Sequence, residues 1–360
     1  MPGGAGRQAL AGLFLEEMAA LLTPLPFYRA KQIFSWIMRG TGTFDGMTDI
    51  PQSLREELDK RFVIYSGEVS AELRDPDGTV KLIITLYDES RVEAVLLTDG
   101  DGRRTACLST QAGCPMGCVF CKTGALGFRR NLDSAEILSQ FFRLKKIAGN
   151  IANVVFMGMG EPLLNINELY RAVNILTDGI NFSPRRITVS TCGIVTGIRG
   201  LAENSPHFRL ALSIPSADEE LRNRLMPSTA AANPLSVIKE ALSLYQAQAG
   251  MRITLEMVLL KGINTRRKDA EALAEFVKGL NAVVNLIPWN PVEGMLFEGR
   301  PLQKPNAGEI ARISSLLEKM GLKVTRRYRK GHKVEGACGQ LGTQSYGATA
   351  AWRSVQNTFT

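Results

Sequence analysis

Eight residues hold three cysteines, Cys114-Pro-Met-Gly-Cys118-Val-Phe-Cys121, a C-x3-C-x2-C run in a Gly-rich stretch. Thiolates this close form a metal-ligand set, and the chain has only two histidines with which to complete one for zinc. Soft sulfur ligands select zinc, copper(I) or an iron–sulfur cluster. A four-iron cluster normally takes four cysteines, so three leave one iron open to a substrate or cofactor. The alternatives are a zinc knuckle completed by Cys192, Cys338 or His207, or thiols buried without metal. The spacing favours iron and sulfur.

Other groups with chemical potential are scattered. Gly158-Met-Gly-Glu161 presents a carboxylate on a glycine-rich turn, suited to an ammonium group, though alone such a motif reads as an ordinary turn. Cys338 follows Arg326, Arg327, Arg329, Lys330 and Lys333, cations that favour a thiolate. Cys107, taken alone, is a thiol buried in a strand. Glu93 is a carboxylate inside an apolar strand, which alternation alone would leave facing solvent.

The cluster run is the signature of radical S-adenosylmethionine (SAM) enzymes. Four further stretches, Ser109-Thr-Gln-Ala-Gly-Cys114, Met157-Gly-Met-Gly-Glu-Pro-Leu-Leu-Asn165, Asn285-Leu-Ile-Pro-Trp-Asn-Pro291 and Gly336-Ala-Cys-Gly-Gln-Leu341, occur in order. Together, across about residues 25 to 345, they resemble one branch of that superfamily, the RNA adenosine methyltransferases of the RlmN type and their C8-methylating relatives. The resemblance implies a 4Fe–4S cluster on Cys114, Cys118 and Cys121, with SAM on the open iron. Gly160 and Glu161 match positions that bind the SAM amine, and Ser190, Ser213, Ile214, Pro215 and Asn290 match positions around its ribose and carboxylate. One departure stands out: the family's Ser-Leu-His after the fourth strand is Ser213-Ile214-Pro215 here, and proline removes an imidazole and a backbone donor.

An electrophilic adenine carbon that bears hydrogen resists ordinary methyl transfer from SAM, whereas a radical route is open to it. The resemblance implies that one SAM methylates Cys338, that a radical from a second SAM takes hydrogen from this methyl group, and that the carbon then adds to the base. Cys107 next forms a disulfide with Cys338 while Glu93 takes the ring proton. The implied substrates are C2 of an adenosine in 23S ribosomal RNA and in tRNA, with an external electron donor such as a flavodoxin and a monomeric protein. C8 methylation of the same RNA, a radical SAM enzyme of another substrate, and a zinc-stabilised RNA-binding protein without catalysis are the competing readings.

Positioning these groups requires a scaffold. From Arg104 onward, strand and helix patterns alternate, with strands near 153–157, 186–191, 208–214, 252–259 and 283–287. Helices are expected near 133–148, 166–178, 217–225, 234–248, 267–279 and 306–320. Such alternation predicts an α/β fold with a parallel sheet. Six βα units are too few for a closed eight-fold barrel, so we expect a partial (β/α)6 barrel over 103–327, with the functional groups on loops at one rim. Before it, Asp75-Pro-Asp-Gly78 and Asp99-Gly-Asp-Gly102 punctuate β-like runs, giving a hairpin extension over 66–102. Helical patterns over 8–22, 27–39 and 51–62 make residues 1–65 a small helical appendage with a basic face. Residues 328–360 read as a loop bearing Cys338 and a tail.

Composition sets the frame. The 360 residues are 45% apolar, enough for a sizeable core, and the net charge of +8 suits a polyanionic partner. RNA is the expected partner, with the base drawn out of its stack, and Arg129–Arg130 and Arg185–Arg186 are candidate phosphate contacts. Six cysteines with three clustered favour a reducing compartment, the cytoplasm, over a disulfide framework. No stretch of ~18 uncharged apolar residues occurs, so no membrane span or export signal is expected.

Overall fold

Ten strands form one sheet whose spatial order is the chain order. The structure, a computed structural model, describes residues 7–204, 208–326 and 330–342. Strands β1 (Glu68–Arg74), β2 (Val80–Thr85) and β3 (Arg91–Thr98) run antiparallel into β4 (Arg104–Cys107). Every later neighbour is parallel: β5 (Asn153–Phe156), β6 (Ile187–Thr191), β7 (Arg209–Ser213), β8 (Ile253–Leu259), β9 (Ala282–Pro288) and β10 (Val324–Arg326). Parallel neighbours need crossovers, and helices supply each one.

Preceding these crossovers are α1 (Leu15–Leu21), α2 (Phe27–Arg39) and α3 (Gln52–Arg61). The crossover helices are α4 (Ser134–Ala148), α5 (Ile166–Ile180), α6 (Val195–Glu203), α7 (Glu219–Leu225), α8 (Leu235–Ala249), α9 (Arg267–Val277) and α10 (Ala307–Lys319). Six βα units therefore build the expected partial barrel, and β10 adds a final parallel strand. That strand goes unseen in the sequence pattern, because three residues at a sheet edge are too short to show alternation.

The central strands are apolar on both faces, since helices cover one side and the barrel interior the other. Val154, Phe156, Val189, Leu210, Leu212, Leu255 and Leu286 are all buried. The N-terminal helices pack into this same core. Helix α2 turns Ala30, Ile33, Ile37 and Met38 inward at helical spacing. The first expected helix is shorter than its pattern: it starts at Leu15, because Gln8–Ala9 instead pairs in parallel with Phe62–Val63. Residues 343–360, together with His207, Arg327 and Arg329, lie outside the described residues.

Candidate active site

Each βα loop at the C-terminal rim delivers one part of the site. Two adjoining cavities open there, sharing Met157, Ile287, Asn290 and Cys338 in their walls. The smaller, about 170 Å³, is lined by Cys114, Cys118, Cys121, Gly160, Glu161, Ser190, Ser213 and Asn290. The larger, about 320 Å³, is lined by Cys107, Cys338, Arg326 and Lys330.

The Gly158–Glu161 loop is fixed by its own neighbours. Gly160 has φ +102, and a Cβ there would stand 2.5 Å from Cβ of Gln111, so only glycine fits. Glu161 is buried, with Oε1 accepting the Leu163 amide (3.0 Å), Oε2 accepting the Cys192 amide (2.8 Å), and its own amide donating to Gln111 Oε1 (2.8 Å). Burial pushes its carboxyl upward against those hydrogen bonds. Each oxygen keeps a further lone pair for a cationic group. Ser109 ties this loop to β3, its Oγ donating to the Glu93 carbonyl (2.6 Å) and accepting the Met159 amide (2.8 Å).

Burial pushes the Cys114 thiol up to about 12 and raises Cys118 and Cys121 too, the neighbouring sulfurs adding to the effect at Cys118. Three thiolates crowded in an apolar wall therefore need a cationic centre to neutralise them. Cys114, Cys118 and Cys121 share one wall of the cavity, and soft thiolate donors of this kind suit an iron–sulfur cluster. Across the cavity, Asn290 Nδ2 donates to the Cys338 carbonyl (3.1 Å), while its buried Oδ1 has no partner among the described residues. An orphaned buried acceptor beside a carboxylate fits a bound polar cofactor.

Glu93 does not face solvent. It pairs across β3 and β2 with Ile83, two residues from the Val95–Cys107 pair, so alternation puts Glu93 and Cys107 on one face. Its carboxylate is 1% exposed, accepts no hydrogen bond among the described residues, and sits 3.3 Å from Nζ of Lys81, itself 3% exposed.

The loop bearing Cys338 lies over this face. Lys81 Nζ donates to the Glu335 carbonyl (3.4 Å), and Lys122 pairs with the Glu335 carboxylate (2.8 Å). The Lys122 amide and Thr123 hydroxyl of the cluster loop donate to the carbonyls of Gly339 (2.8 Å) and Leu341 (2.7 Å). At its other end, the amides of Gly331 and Lys333 donate to Asp77 (2.7 Å) and Asp75 (2.6 Å), while Lys330 pairs with Asp99 (2.6 Å). Cys338 is thus brought beside the three cluster cysteines and Cys107.

Residues 108–277 match the model of the Radical SAM superfamily, and residues 9–64 match the Ribosomal RNA large subunit methyltransferase N-terminal domain. A relative from Treponema pallidum (strain Nichols), named "Probable dual-specificity RNA methyltransferase RlmN", is 46% identical over 93% of this chain and 97% of its own. One of the same name from Thermus thermophilus is 43% identical over 87% of this chain and 88% of its own. The crystal structure of a radical SAM methyltransferase from Sphaerobacter thermophilus superposes with a TM-score of 0.88 at 38% identity, covering 93% of this chain and 99% of that one. The chain belongs to the RlmN family of radical SAM RNA methyltransferases. With that membership come a 4Fe–4S cluster and SAM.

Among the site residues expected from the family pattern, Glu93, Ile214 and Pro215 line neither cavity, Glu93 lying buried on the strand face it shares with Cys107. Ile214 is packed in the core, and Pro215 is buried with its carbonyl accepting Asn264 Nδ2 (2.7 Å). Neither lines the cofactor cavity, so the departure at Pro215 leaves its wall intact. The reading from sequence passed over Glu256, an acid in the apolar strand β8 that lines the cavity and lies 3.3 Å from Ser190 Oγ. Its signal was the same as that of Glu93, a carboxylate where the strand pattern calls for an apolar residue.

Two expected phosphate contacts are relocated. The Arg130 guanidinium is committed to Glu136 (2.7 Å) and Asp88 (3.0 Å). Arg185 and Arg186 precede β6 and lie at its N-terminal end, opposite the rim that carries the site.

No helix among the described residues is long and apolar enough to cross a membrane.

Proposed function

We propose that the protein methylates C2 of an adenosine in 23S ribosomal RNA and in tRNA, with Cys338 carrying the transferred carbon, Cys107 releasing it and Glu93 taking the ring proton. The observation that supports this is Cys338 in the shared wall of both cavities, facing the cluster cysteines on one side and Cys107 on the other. When bound, the cluster and SAM supply the methyl group and a radical able to take hydrogen from it. The protein's part is placement. Cys338 Sγ holds the carbon at the junction while the base, flipped from its stack, fills the larger cavity. Glu93 has unused acceptor capacity for the ring proton, with Lys81 as its counter-charge, and the one electron left over once the hydrogen atom and the proton have gone would be taken up by the bound cluster. Cys107 Sγ then attacks Cys338 Sγ, forming the disulfide and breaking the sulfur–carbon bond. The electron pair passes to the transferred carbon, which takes up a proton. An external donor such as a flavodoxin reduces the system, and the enzyme works as a cytoplasmic monomer.

The test is Cys107→Ala. With SAM, reductant and RNA it traps RNA covalently on Cys338, and mass mapping of wild-type product finds the new methyl on C2. Free turnover by the variant overturns the role of Cys107, and methyl on C8 overturns the regiochemistry.

A further inference from the structure

A third cleft, about 600 Å³, lies on the same rim and plays no part in the site described above. Its walls carry Arg224, Lys261, Arg266 and Arg300 against one carboxylate, Glu298, with Phe297 between them. These cations come from three successive strand-end connections, following β7, β8 and β9, so the fold gathers them rather than the local sequence. The cleft is physically joined to the active site. The Val119 amide of the cluster loop donates to the Leu225 carbonyl (3.1 Å) at the end of α7, which carries Arg224, and the Trp289 amide donates to the Leu259 carbonyl (3.1 Å) just before Lys261.

The charges there are poorly neutralised. Arg224 pairs with Glu298 (2.6 Å) across two side chains that are each about half exposed, an arrangement worth little in water and readily exchanged for another anion. Arg266 is held by Asp269 (2.9 Å). Lys261 and Arg300 form no ion pair among the described residues. Four cations around a half-open cleft, two with no counter-charge, attract a multiply charged anion, and an arginine fork matches phosphate oxygens.

We propose that this cleft binds backbone phosphodiesters of the RNA substrate, next to the nucleotide that enters the barrel. This rests on the reading of the protein as an RNA-modifying enzyme. A nucleotide extruded into the larger cavity leaves its flanking strand lying across the rim, and the cleft gathers four cations on that rim against one carboxylate. Phosphate contacts of this kind fix register without reading sequence.

The experiment uses the cluster-loaded full chain under anaerobic conditions and a fluorescein-labelled RNA stem-loop with an unpaired adenosine, with anisotropy read across a salt series. The Lys261→Gln/Arg300→Gln double variant should raise Kd about tenfold and lower the slope of log K against log salt by about 1 to 2. Charge-keeping Lys261→Arg/Arg300→Lys should return both to within about threefold of wild type, which separates charge from folding. Arg185→Gln/Arg186→Gln removes the same charge from the opposite face and should leave Kd within about twofold. Equal losses from both neutralised pairs mean a general charge effect and overturn the cleft. Unchanged RNA affinity in Lys261→Gln/Arg300→Gln with slower reduction by a protein donor assigns it to an acidic protein and also overturns the proposal. Wild-type protein that binds RNA with no salt dependence would undermine the functional reading itself, a different failure from an unaffected double variant.

Discussion

Lys81 and Glu93 form the least solvated ion pair in the described structure, at 3% and 1% exposure. Such a pair adds little net stability while both members are present, but removing one leaves a buried, uncompensated charge. Lys81→Met should therefore cost about 3–5 kcal/mol in denaturant unfolding. Lys81→Met/Glu93→Leu should recover most of that loss without recovering methylation. If the single variant is as stable as wild type, the pair is not buried as described. Asp88 behaves differently. Burial alone would raise its carboxyl, but hydrogen bonds from Arg130 and Ser90 outweigh this and hold it far below the usual carboxylate range. A depressed folded pKa gives stability that is complete above the unfolded value near ~3.9 and is lost as pH falls further. Asp88→Asn should thus flatten the loss of denaturation midpoint as pH falls below about 4. An unchanged slope would mean that Arg130 is served by Glu136 alone.

Elements with strong periodicity were readable in advance, and those shaped by close contact were not. The strands and most crossover helices are found within a few residues of where hydrophobic spacing puts them. Helix α6 escaped notice because Gly197 and Gly200 interrupt Val195, Thr196 and Ile198, a poor local helix former. Its glycine is explained only by a neighbour: a Cβ at Gly197 would lie 2.6 Å from Cβ of Leu163, in the turn after Glu161. Two effects compete in Gly197→Ala. Helix propensity gains about 1 kcal/mol, while overpacking costs about 1–3 kcal/mol. The variant should be destabilised by roughly 1–2 kcal/mol and bind SAM more weakly, because the pushed turn holds Glu161. Greater stability on calorimetry would show that Leu163 yields. The cysteine trio was legible as a ligand set from spacing alone. The burial of Glu93 was not, since a carboxylate in an alternating strand is ordinarily solvated. Whether an arginine pair such as Arg185–Arg186 meets solvent at the site's rim or at the opposite end depends on strand direction, and that only a fold can give.

At the scale of the whole chain, the N-terminal helices and the barrel share one core, running from Leu10 to Leu341. Polar ties cross the junction as well: Lys145 donates to the Met38 carbonyl (3.0 Å), and the Ser134 hydroxyl to the Gly12 carbonyl (3.2 Å). Without an independent core, residues 9–64 should not melt separately. Scanning calorimetry is expected to give one transition for the full chain, and two well-resolved transitions would contradict the shared core.

Glu93 and Cys107 ride on β3 and β4, locked by ladder hydrogen bonds, so neither can shift without tearing the sheet. Cys338 rides on a segment with no ladder, moored by a handful of side chains such as Lys122, Asp75 and Asp77. Cutting one mooring should therefore displace the segment that carries Cys338, while the strands that carry Glu93 and Cys107 stay where they are.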